Sequence, residues 1–123
     1  MKRAATKNVR PAGPASRFPK WSHQWLDALD LDMARQIAKK IRRQPALYQN
    51  ALDTLQHWKE IKKPAPLALR EWDRIIKRNP VGRVLEILTQ DNDEGQRLRQ
   101  SDPFCGILTE RERLRCFEKY EEI

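Results

Sequence analysis

Apolar residues recur along this chain at helical spacing, with a proline or a polar turn between one run and the next. Trp25, Leu29, Met33, Ile37 and Ile41 repeat every four residues, with Leu26, Ala34 and Ala38 beside them. Such a stripe marks a helix with one buried face. Ser22 is a suitable N-cap, and Lys39, Lys40, Arg42 and Arg43 gather where a helix dipole favours cations. A first helix ending near Arg43 follows. Pro45 then opens a second, striped by Leu47, Tyr48, Ala51, Leu52, Leu55 and Trp58 and stopped by the prolines of "KKPAP". Leu69, Trp72, Ile75 and Ile76 define a third. Pro80 opens a short fourth with Val81, Val84, Leu85 and Leu88.

The stretch "TQDNDEG" supplies three candidate caps for a fifth helix reaching Gln100, which Ser101-Asp102-Pro103 stops. Thr109 and Glu112 form a T-x-x-E capping box for a last helix, with Leu114, Phe117 and Tyr120 as its buried side. No segment alternates with a period of two, and no solenoid-length repeat occurs. The expectation is all-α: a compact bundle of five to six helices, residues 21–123, behind an extended basic arm, residues 1–20.

Charge sharpens that division. The net charge is +8, yet the first twenty residues carry six cations (Lys2, Arg3, Lys7, Arg10, Arg17 and Lys20) and no acid, leaving only +2 for the rest. A proline-rich basic arm suits a phosphate backbone or an acidic surface, and equally a solubilising tail. With "KKIRR", Lys39, Lys40, Arg42 and Arg43, the arm is a candidate nucleic-acid footprint. The competing explanation of that cluster is the helix dipole alone. No run is long and apolar enough for a membrane span or a secretory leader. The two cysteines, Cys105 and Cys116, fit a reducing compartment as packing residues, so the cytoplasm is the expected location.

The sequence holds little candidate chemistry. His23 and His57 are far apart and lack ligands at zinc spacing, so no metal is expected. "DNDEG" departs from the calcium-loop template at its glycine and at its twelfth position. Cys105 is a loop thiol that would need a basic partner to act as a nucleophile. There are four glycines and no phosphate-cradling loop, so neither a cofactor nor a small-molecule substrate is indicated. The polar stretch "EGQRLRQS", Glu94 to Ser101, is more suggestive. Arg97 and Arg99 are two apart and point different ways. One use is internal and makes a folded corner with one exposed face: an arginine ties Asp102, Glu112 or neighbouring helix ends together, and Phe104 and Leu108 pack beneath the last helix. The other is external, clamping a partner with Arg97, Arg99, Gln100 and Phe104.

The runs "LDMARQIAKKIRRQPALYQNALDTLQHW", Leu31 to Trp58, and "REWDRIIKRNPVGRVLEILTQDNDEGQRLRQSDPFCGILTERER", Arg70 to Arg113, resemble a group of small all-helical bacterial proteins found in toxin–antitoxin gene pairs. The partner gene in such pairs often encodes a nucleotidyltransferase-like protein. The resemblance spans most of residues 23–119 and is most specific at Gly95–Ser101, Pro103-Phe104, Trp58 and Trp72. It does not include the arm. It implies a non-catalytic, antitoxin-like protein that binds and neutralises a toxin enzyme. The alternative from the residues themselves is a nucleic-acid-binding regulatory module.

Overall fold

A computed structural model describes residues 18–121, with side chains placed through Lys119. The arm cations Lys2, Arg3, Lys7, Arg10 and Arg17, and the side chain of Tyr120, lie outside that part. Six helices and no strand make up the described residues: α1 (His23–Arg43), α2 (Leu47–Ile61), α3 (Leu67–Arg78), α4 (Val81–Leu88), α5 (Asp93–Arg99) and α6 (Glu110–Glu121).

Local signals set the boundaries. Ser22 accepts the Trp25 N–H at 3.1 Å and starts α1. Prolines 66 and 80 are the residues that lead into α3 and α4. The Thr109–Glu112 box closes in both directions, with the Thr109 N–H donating to Glu112 at 2.8 Å and the Glu112 N–H to Thr109 Oγ1 at 3.1 Å.

The longest helix, α1, is the spine. It packs against α4, α5 and α6, while α2 joins through α3. Its stripe of Ala34, Ile37, Ala38 and Ile41 enters the main core, which also holds Ala51, Trp72, Val84, Leu85, Leu88, Leu98, Phe104 and Leu108. Two aromatic rings centre that core, Trp72 and Phe104, both fully buried and edge-on at 5.8 Å. A second cluster gathers Trp25, Ala28, Leu29 and Cys116, with Phe18 and Phe117 partly buried against it. Trp21 stacks there from outside, 4.8 Å from the Trp25 ring. Trp21 has a φ of 69°, a left-handed turn that leads the chain into α1.

Two packing expectations need correction. Leu114 is 53% exposed rather than buried. Lys40 binds Glu112 and so rotates α6 to turn its Glu112–Cys116 row toward α1. Leu114, two residues from each, faces outward. The cysteines also part ways: Cys116 is buried, but Cys105 is exposed on the loop before α6.

Candidate functional site

The polar corner that the sequence singles out is α5 and its flanking turns. Thr89 ends α4 by donating its hydroxyl to the Leu85 carbonyl at 2.8 Å. Asn92 then caps α5, accepting the Gly95 N–H at 2.7 Å. Between these caps the chain doubles back so tightly that Gly95 rests on the backbone of Gln90. The seven residues of α5 are therefore held against the end of α4 and along α1.

The four residues proposed as a clamp separate here into two kinds. Phe104 is 0% exposed and Arg99 is 9% exposed, so neither presents a surface to a partner in this conformation. Phe104 fills the core because Asp102, accepting its N–H at 2.8 Å, folds the loop inward. Arg99 donates Nη1 to the Leu88 carbonyl at 3.0 Å and the Gln90 carbonyl at 2.8 Å. A helix leaves its last carbonyls without intrahelical donors, and Arg99 serves that need at the end of α4. Its burial pushes its pKa downward, countered by Asp30, Asp91 and Asp102 nearby.

Arg97 and Gln100 remain on the surface. The guanidinium of Arg97 grips Glu71 in a bidentate pair at 2.9 and 2.7 Å, and donates to Glu94 as well, at 2.7 and 3.3 Å. Arg97 is held above its usual pKa by those two carboxylates, and Glu71 below its own by the same hydrogen bonds. Gln96 reaches α1 by hydrogen-bonding Asp27.

These side chains wall an open groove of about 460 Å³, lined by His23, Asp27, Asp93, Gln96, Arg97 and Gln100. His23 shares it with the carboxylates of Asp27 and Asp93. His57 is exposed on α2.

A smaller cleft of about 280 Å³ lies beside Arg99. Asp30, Arg99, Asp102, Cys105 and Arg113 rim an apolar floor of Met33, Ala34, Ile37, Leu108 and Phe117. Cys105 therefore lies in a different cleft from His23. Although the residue is exposed on its loop, its thiol faces the cleft, where partial desolvation and then Asp102 push its pKa up, away from the reactive thiolate. Among the described residues, no three His, Cys, Asp or Glu side chains converge for a metal.

Asp102 gives the cleft a pH signature. Burial pushes its carboxyl from 3.8 up to about 6; the Phe104 N–H and Arg99 oppose the shift and Asp30 adds to it. The folded chain thus holds this proton more tightly than the unfolded chain. Stability should fall as pH rises from about 4 to about 6, by roughly 2–3 kcal/mol, and then level off. Asp102→Asn keeps an acceptor for Phe104 and should flatten that slope in urea melts. A wild-type profile already flat across the interval would contradict it. Glu112 runs the opposite way and lower: Lys40 and the Thr109 N–H hold it at about 2, so its contribution is lost only as pH falls below about 4.

The basic cluster is also divided. Lys40 is an internal strut, its Nζ 3.0 Å from the Ile107 carbonyl and 2.6 Å from Glu112. That pairing removes Lys40 from the proposed phosphate contacts. Lys39, Arg42 and Arg43 are exposed, and Lys20 lies 6.0 Å over the Trp21 ring.

Comparison of the chain with protein-family models, with curated proteins and with solved structures finds no match. No helix among the described residues is long and apolar enough to cross a membrane.

Proposed function

We propose that this protein is a non-catalytic binding protein that holds a protein partner in the groove beside α5. The observation that supports this best is the fixed framework of that groove. Arg97 is locked by Glu71 and Glu94, and Gln96 by Asp27, so the walls are ordered before a partner arrives. Pre-ordered walls lower the entropic cost of association. His23, Asp93 and Gln100 then offer donors and acceptors at the rim. That mixed set, with Asp27, Asp93 and Glu94 close by, suits a protein surface and repels a phosphate backbone.

The resemblance noted above makes a toxin enzyme of the nucleotidyltransferase-like kind the first partner to test. Co-expression with the product of the neighbouring gene, followed by pull-down and a growth assay, is the experiment. The full chain should co-purify with that enzyme and restore growth. Gln100→Ala with Asp93→Ala should weaken capture at least tenfold without moving the urea midpoint. No capture of that enzyme, or turnover of a substrate by the purified chain alone, overturns the reading. A nucleic-acid-binding role is a second reading, favoured by the exposed Lys39, Arg42 and Arg43 at the far end of α1.

A further inference from the structure

We infer that the groove between α1 and α6 is a nucleic-acid backbone site anchored by Arg43 and Arg115. The inference rests on the second reading above, not on the protein-docking one, and it assigns that reading a surface.

Gln36, Lys40 and Arg43 of α1 and Glu112, Arg115 and Lys119 of α6 line this groove of about 310 Å³. Each trio is spaced by three and four residues, so one row of each helix faces the other. The α1 row begins nine residues beyond Asp27, roughly 13 Å along the axis from the α5 groove. The two surfaces are therefore separate.

Pairing decides which charges are available. Lys40 is paired with Glu112 at 2.6 Å. Lys119 is paired with Asp32 at 3.1 Å. Arg43 and Arg115 have no carboxylate within ion-pair distance among the described residues, and both are exposed, one from each wall. Arg42, Lys39 and Arg111 are exposed nearby, while Glu118 stands one turn beyond Arg115 and offsets part of that charge. The dipole of α1 accounts for the cations on its own last turn. It does not account for Arg115, which a different helix brings to the same groove.

Two planar guanidinium forks across a floor neutralised by its own ion pair are suited to phosphodiester oxygens. A nucleic-acid backbone repeats its charge along its length, and the sequence of residues 1–20 carries six further cations.

The test is fluorescence anisotropy of a labelled duplex and a labelled single strand with the full chain across a salt series. Arg43→Gln with Arg115→Gln should weaken binding about 10- to 100-fold and reduce the salt slope by roughly 1.5–2. Arg115→Gln alone should remove about half of that slope change. Arg74→Gln with Arg78→Gln, equal in charge and placed on α3, should leave most of the affinity. An unchanged urea midpoint shows that each variant is folded. The inference fails if the full chain binds neither probe, or if the α1–α6 pair and the α3 pair lose equal affinity. It fails also if polyglutamate of matched charge competes as well as the duplex. None of these results bears on capture of a partner by the α5 groove.

Discussion

Trp72→Ala should lower the stability of the folded chain by about 3–5 kcal/mol, a large part of the ~5–15 kcal/mol that holds a typical domain. The indole is fully buried at the centre of the main core. Its ring packs edge-on against Phe104, and its N–H donates to the Leu98 carbonyl at 2.9 Å. The mutation therefore opens a cavity and frees the end of α5 at once. Trp72→Phe keeps an aromatic ring and loses mainly the donated hydrogen bond, so it should cost much less than the alanine variant. Urea unfolding followed by circular dichroism distinguishes the two, provided the slope with denaturant stays constant. An alanine variant within about 1 kcal/mol of wild type would refute this description of the core.

Gly95→Ala is the second, and its sign is the point. Within a helix, alanine ordinarily stabilises by about 1 kcal/mol over glycine. Here an added Cβ would press on the Gln90 carbonyl oxygen and lie 2.8 Å from the Gln90 Cβ. The turn cannot yield without moving Asn92 from its cap or Arg99 from the carbonyls it serves. The expected outcome is destabilisation by about 1–3 kcal/mol, with weaker partner capture at the α5 groove. Gly82→Ala is the control, because a Cβ there meets nothing within 4 Å. It should be neutral or stabilising by up to ~1 kcal/mol. Thermal melts of the two variants moving in the same direction would contradict the close approach.

The helices were legible because their signals are local. Four-residue spacing, Ser22, the prolines and the Thr109 box all act within a turn or two, and the starts of α1, α3, α4 and α6 follow from them. The α5 corner was half legible. Leu98 and Arg97 adopt the opposed orientations that helix geometry requires, one buried and one exposed. Arg99 takes the internal one of the two uses the sequence offers, tying helix ends together; which arginine does so was not legible, because its carbonyl partners lie nine and eleven residues back across a turn. Phe104 was legible as a packing residue but not as a central one: it follows a proline in a loop, and the rings of Trp72 and Tyr48 make it central. The Lys40–Glu112 strut joins residues 72 apart, a distance at which one sequence carries no signal. The same holds for the meeting of Arg43 and Arg115 in one groove.

The spine helix sets an order of events during synthesis. It is made before α4, α5 and α6, yet these three cover its apolar stripe. Its Lys40 has to await partners 67 and 72 residues later in the chain. Until α4, α5 and the loop carrying Phe104 and Leu108 leave the ribosome, Ile37 and Ile41 lack much of their cover, and contacts so distant along the chain form late. The nascent protein therefore passes through an interval in which its longest helix is a sticky surface, and any helper that shields it must act on α1.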